Sequence, residues 1–173
     1  CSNELQFAFF GTSYAKFPYE LLAWKLKDIS NKLNKSVLLK VIGIQRETDG
    51  LEQIKKISRT NGFTVSQMGE CSESEISKEF QNCDIGISTT PYDVLGKSGA
   101  TAAMLEHGLP VLAYDDADTP KKELFVMEQF KDQVFLLNDI NLIDRLVSFM
   151  QKPRKNFFDG VAHTSNILLK LTH

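Results

Sequence analysis

The chain has 173 residues, 42% apolar and 24% charged, which is the composition of one folded domain and excludes a disordered segment. Its 20 basic and 22 acidic residues leave a net charge of −2, so no strong field draws it to nucleic acid or to an anionic membrane. No apolar run approaches the roughly 20 residues of a bilayer span, the longest, Val37 to Ile44, being broken by Lys40. No basic stretch followed by an apolar one marks a signal peptide. Cys1, Cys71 and Cys83 are odd in number without CxxC spacing, and His107, His163 and His173 are scattered. Neither set reads as a disulfide framework or a zinc site, and a cytoplasmic protein is expected. The chain begins with Cys1 where a start methionine is expected, which suggests a piece of a longer protein.

Leu5 to Phe10, dense in aromatics and ended by Gly11, reads as a buried strand. Pro18 opens a helix whose Leu22, Leu26, Ile29 and Leu33 share one face as far as about Asn34. Val37 to Ile44 is the second strand, followed by a helix from Asp49-Gly50 that stops near Asn61-Gly62. Phe63 to Met68 is the third strand, ended by Gly69. Ser72-x-x-Glu75 is a capping-box pattern opening a short helix. Asp84 to Ser88 is the fourth strand, stopped by Thr89-Thr90-Pro91; a glycine loop, Gly96 to Gly99, then leads into a helix from Ala100 to His107. Gly108 and Pro110 close that helix, and Val111 to Tyr114 is the fifth strand. A helix from Thr119-Pro120, a sixth strand at Val134 to Leu137 and a helix over Ile140 to Met150 come next, and a last amphipathic helix spans Asp159 to Leu171. Strands alternating with helices, without hairpin turns, predict an α/β fold: one doubly wound, Rossmann-like, six-stranded parallel sheet with helices on both faces.

Ligands in such folds bind beyond the carboxyl ends of the strands, so the loops there are the candidates. The richest runs from Tyr92 to Thr101. Its small residues admit a ligand to the backbone, the helix start favours an anion, and Lys97, Ser98 and Thr101 add a charge and two hydroxyls. It is not a P-loop, because the glycine required five residues before Gly96-Lys97 is Pro91. The plain alternative is a glycine-rich turn with a solvated lysine. Gly11 to Lys16, with Thr12 and Ser13, is a second phosphate candidate, and the same alternative applies to it. Gly69-Glu70 is either a simple turn or the border of a nucleobase. Asp84 reads as a local pairing or capping residue and His107 as a helix-terminus residue. Asp115, Asp116 and Asp118 read as a solvated acidic loop or a cation site.

The order Gly69, Ser74-Glu75-Ile76, Asn82-Cys83-Asp84-Ile85-Gly86-Ile87-Ser88, glycine loop, and His107-Gly108-Leu109-Pro110-Val111-Leu112-Ala113 resembles the C-terminal half of GT-B glycosyltransferases. It is most similar to the retaining family 4 (glycosyltransferase group 1), over Phe7 to about Tyr114. The resemblance implies that residues 1–173 are the nucleotide-sugar-binding lobe, with an N-terminal acceptor lobe outside the chain. It places Gly11 where the family's first loop approaches the donor diphosphate, and Thr12 where an arginine is usual. Lys16 falls one residue short of that loop's phosphate-binding lysine. Lys97 and Ser98 fall in the stretch where the family's backbone amides meet the diphosphate, with Gly96, Gly99, Ala100 and Thr101 beside them as donor-binding candidates. The family's E-x7-E acids land on Leu95 and Ala103, so the ribose contact is absent or moved, with Glu106 or Asp93 as substitutes.

The implied activity is retaining transfer of a hexosyl group from a nucleoside-diphosphate sugar to a polysaccharide or glycoconjugate acceptor. Lys16 and Lys97 would be the catalytic cations that stabilise the departing diphosphate, with no metal or other cofactor required. Two alternatives remain at this stage: a non-catalytic sugar-nucleotide-binding or assembly module that has lost the E-x7-E acids, and a Rossmann-like domain of unrelated purpose.

Overall fold

In the computed structural model, residues 3–45, 48–115 and 128–154 are described. The helix expected from Thr119-Pro120 and the one over Asp159 to Leu171 lie outside them. Six parallel strands, β1 (Glu4–Phe10), β2 (Ser36–Ile42), β3 (Thr64–Gly69), β4 (Ile85–Pro91), β5 (Val111–Tyr114) and β6 (Val134–Leu136), form one sheet in the order β3-β2-β1-β4-β5-β6. Between them run α1 (Tyr19–Leu33), α2 (Thr48–Asn61), α3 (Glu73–Asn82) and α4 (Gly99–Glu106), and α5 (Leu142–Met150) follows β6. The expected doubly wound sheet is present.

Alternate residues of β1 divide the interior. Leu5, Phe7 and Phe9 join Leu22, Leu26 and Ile29 of α1, Ile54 and Ile57 of α2 and Leu142 and Leu146 of α5. Ala8 joins Phe80 of α3 and Met104 and Leu105 of α4 on the other face. The sequence order reverses where β1 pairs with β4, Phe7 opposite Ile85 and Phe9 opposite Ile87. Chains leaving β1 and β4 diverge to opposite faces there and open a crevice between them.

Besides shifts of one or two residues at the ends of elements such as β3, β6 and α5, which starts at Leu142 and leaves Ile140 exposed, three elements differ from expectation. β2 stops at Ile42 because Gly43 takes φ +90°, which turns the chain and leaves Ile44 exposed. β4 continues through Pro91, which pairs with Tyr114 of β5 after a register shift; as the last residue of the strand, proline loses little by lacking an N–H. The expected loop before α4 is largely a 3-10 helix, Tyr92–Lys97, anchored by Leu95, which is buried on the α3–α4 face.

Among the described residues, Cys71 and Cys83 are both free. Cys71 is half-buried, and burial pushes the Cys83 thiol up to about 12, so it stays protonated at neutral pH. Asp84, expected to pair or cap locally, instead reaches across to β1, its carboxylate accepting from the backbone N–H of Gln6, 78 positions away, at 2.8 Å.

Candidate functional site

The crevice between β1 and β4 holds a cavity of about 450 Å³ lined by Thr12 and Tyr14 on one side and by Lys97, Ser98, Gly99, Ala100 and Thr101 on the other. The two loops that the sequence singled out separately are therefore opposite walls of one site. Gly11, at φ +75°, brings them together: a Cβ there would lie 3.3 Å from that of Ala100.

The α4 wall is stitched by hydroxyls. Ser98 caps α4, its Oγ accepting from the Thr101 N–H at 3.2 Å and from the Thr101 hydroxyl at 2.9 Å. Thr101 has given its only proton, so Ser88, 2.8 Å away, donates to it, and Ser88 in turn accepts from the Thr90 N–H at 3.3 Å. Both acceptor positions of Ser98 are occupied by this chain of bonds, and its own proton is left as a donor at the cavity. Capping also consumes the N–H of Thr101, while Ala102 bonds back to the Ser98 carbonyl. The N–H groups of Gly99 and Ala100, the first of α4, are those a helix start leaves unmatched. Lys97 is exposed beside them.

The β1 wall is held from outside. The Gln45 side chain donates to the Gly11 carbonyl at 2.6 Å and accepts from the Ser13 N–H at 3.1 Å. Thr89 donates to the Thr12 carbonyl at 3.0 Å and accepts from the Tyr14 N–H at 3.3 Å. The Tyr19 hydroxyl donates to the Tyr14 carbonyl at 3.0 Å. The N–H and hydroxyl of Thr12 have no partner among the described residues.

Other expected site residues lie elsewhere. Lys16 is exposed and borders a different cavity of about 250 Å³, with Tyr114, Asp115 and Asn138. Gly69 ends β3, two strands from β1, at φ +65°. Gly96 is exposed in the 3-10 helix and does not line the crevice cavity. Glu106 is the last residue of α4, roughly 10 Å along the axis from the helix start, and does not line the cavity either. Leu95 and Ala103, the positions of the missing acids, pack in and against the α3–α4 core. His107 ends α4 with its ring nitrogens at the Ala103 carbonyl, 2.7 Å, and the Ser77 hydroxyl, 3.0 Å. Of the acidic run after β5, only Asp115 is described.

Gln45, Ser88, Thr89 and Tyr14 were not singled out by the sequence. Tyr14 lies inside the Gly11 to Lys16 candidate without being named, and Thr89 with Thr90 reads only as the end of a strand.

The sequence matches no family model and no curated protein. Among solved structures the fold is similar to the catalytic domain of cholesterol-alpha-glucosyltransferase from Helicobacter pylori, with TM-score 0.54 and 13% identity over 95% of this chain and 99% of that one. It is also similar to TarM, with TM-score 0.55 and 16% identity over 99% of this chain. The UDP-GlcNAc 2-epimerase of Methanocaldococcus jannaschii, solved with UDP-GlcNAc and UDP, gives TM-score 0.56 and 12% identity, again over 99% of this chain. The chain spans 35% of TarM and 46% of the epimerase. The protein has the fold of a GT-B glycosyltransferase-like domain, one Rossmann-like lobe. Among its described residues no helix is long and apolar enough to cross a membrane.

Proposed function

We propose that this chain is the donor-binding lobe of a glycosyltransferase, taking a nucleoside-diphosphate sugar in the β1/β4 crevice for transfer to an acceptor held by a second lobe. The observation that carries this reading is the donor-rich lining of the cavity. Lys97, Ser98 with its uncommitted proton, Gly99 and Ala100 at the start of α4, and Thr12, whose N–H and hydroxyl have no partner among the described residues, all line it, and no carboxylate does so among the described residues. Such a lining favours a phosphate-bearing ligand. Its volume, about 450 Å³, lies within the usual range of small-molecule sites. Lys97 and the α4 amides would stabilise the charge that develops on the departing diphosphate. Lys16 borders the neighbouring cavity, where it could meet an acceptor or the far end of a donor.

The test is thermal melting of the 173-residue chain with UDP, ADP and GDP. A ligand at a hundred times its Kd adds about 2.7 kcal/mol of stability. The expected result is a shift with at least one nucleotide, largely lost in Lys97→Ala; no shift with any of them would overturn the reading. Transfer needs an acceptor positioned against the anomeric carbon, so this chain alone should bind donor without turnover.

A second reading, a non-catalytic sugar-nucleotide-binding module, is favoured by one observation. Leu95 and Ala103 are core-packed where the family's acids would stand. Donor binding without transfer by the full two-lobe protein would select it.

A further inference from the structure

We propose that Gln45 and Thr89 are positioning residues, forming a two-sided bracket that fixes the Gly11–Tyr14 loop so that Thr12 presents its N–H and hydroxyl to the phosphate in the crevice. The inference rests on the reading of the crevice as a phosphate site.

Four consecutive residues of the loop each lose one backbone group to these two side chains. Gln45 takes the Gly11 carbonyl and the Ser13 N–H, and Thr89 takes the Thr12 carbonyl and the Tyr14 N–H. Each side chain is used as donor and acceptor at once, which fixes the orientation of the Gln45 amide and the hydroxyl rotor of Thr89. The two come from opposite sides of β1. Thr89 is buried near the end of β4, and Gln45 lies just beyond the Gly43 turn that ends β2. The N–H of Gly11 is taken as well, by the Ile42 carbonyl at 3.3 Å. From Gly11 to Tyr14 the only backbone N–H without a partner among the described residues is that of Thr12, and Thr12 lines the cavity opposite the start of α4.

This loop is short, lacks regular secondary structure and contains a glycine at φ +75°, so without outside partners it would sample several conformations. A bracket that removes this freedom before the ligand arrives spares that ordering cost at binding. Ser13 adds a third restraint. Its carbonyl lies so close to the start of α2 that a Cβ at Gly50 would sit 1.8 Å from it.

The experiment pairs a ligand-free readout with a binding one, on the 173-residue chain. Variants are Gln45→Leu, which keeps bulk without hydrogen bonds, and Thr89→Val with Thr89→Ser as its conservative partner. Amide exchange in the free protein should show protected Ser13 and Tyr14 N–H groups. Gln45→Leu should release Ser13, and Thr89→Val should release Tyr14, with β1 and β2 unchanged. UDP, ADP and GDP affinities, measured well below every melting temperature, should weaken at least tenfold in Gln45→Leu and Thr89→Val, and Thr89→Ser should restore most of the loss. Unchanged protection in the variants would overturn the bracket. Lost protection with affinities within twofold of the parent would overturn the positioning role. If the parent binds none of the three nucleotides, the reading of the crevice falls and the inference with it, whatever the exchange shows.

Discussion

The α4 wall of the crevice is held by hydroxyls three to thirteen residues apart in sequence, Ser98 to Thr101 and Thr101 to Ser88, whereas the β1 wall is held by Gln45 and Thr89 across 32 to 77 positions. Each wall faces the same cavity and each ends with donors that have no partner among the described residues. The local wall is assembled once β4 and α4 exist. The β1 wall needs β2, β1 and β4 already side by side, because its bonds come from neighbouring strand ends. The local wall should therefore tolerate loss of one bond, and the distant wall should fail when the packing that supports it is disturbed.

The largest effect is expected at the distant wall's tightest contact. In Gly50→Ala the new Cβ would lie 1.8 Å from the Ser13 carbonyl oxygen and 2.5 Å from its carbon, both backbone atoms that cannot swing away. Either α2 or the Gly11–Tyr14 loop must move, at a cost of roughly 3 kcal/mol. Chemical denaturation should show that loss, with nucleotide binding impaired in whatever remains folded. A loss below about 0.5 kcal/mol, the usual scale of a neutral surface change, would mean that the loop is loosely seated and the contrast between the walls is wrong.

On the local wall, Thr101→Val is nearly isosteric and removes only the hydroxyl in the middle of the chain of bonds. Ser88, buried, then loses the acceptor for its proton, for an expected destabilisation of about 2 kcal/mol. Ser98→Ala, which removes the cap of α4, should cost about 1 kcal/mol, with Ser98→Asp holding most of the stability through its own carboxylate cap. The aspartate variant sharpens the comparison. It replaces a donor at the cavity with a negative charge, so it should keep the fold and lose nucleotide binding, whereas retained binding would remove Ser98 from the site.

What the sequence discloses follows the same division. The strands, the helix starts, the Ser72–Glu75 capping box and the anion-favouring residues from Lys97 to Thr101 are local patterns, each written within a few positions. The reach of β4 to Pro91 was hidden because a proline reads locally as a stop, and only its pairing with Tyr114 shows the strand continuing. The 3-10 helix was hidden because a glycine and a lysine near its end suggest a loop, while Leu95, buried against the other face, dictates a turn. Both lysines are candidates in the sequence for the departing diphosphate, each in a loop beyond a strand, with the Lys97 loop the richer of the two. Lys16 and Lys97 border different cavities although β1 and β4 are adjacent, because the chain leaves those strands for α1 and α4 on opposite faces of the sheet. Gln45 carried no signal at all, since its partners lie on another strand's loop.

The smallest effect belongs to the most local device. Glu75 closes the capping box of α3 by accepting from the Ser72 N–H at 2.8 Å and the Ser72 hydroxyl at 2.7 Å, while the Ser72 oxygen accepts from the Glu75 N–H at 3.4 Å. Hydrogen bonds from the Ser72 side chain, then from its backbone, hold this carboxyl below its ordinary range, although the group is fully exposed. A carboxylate whose folded pKa is depressed contributes stability that is present above its unfolded pKa. That contribution is lost as pH falls through the lower, folded value. Glu75→Gln keeps an acceptor but no charge, so at neutral pH it should melt slightly below the parent, and α3 should fray faster in amide exchange. The difference should shrink as pH falls through the acidic range and disappear once the parent's carboxyl is protonated too. The crevice should not register the change, because α3 starts beyond β3, two strands from β1, and nucleotide affinity should match the parent's. A gap in melting temperature that stayed constant down to low pH would assign the effect of the substitution to packing and remove the charge from the capping box.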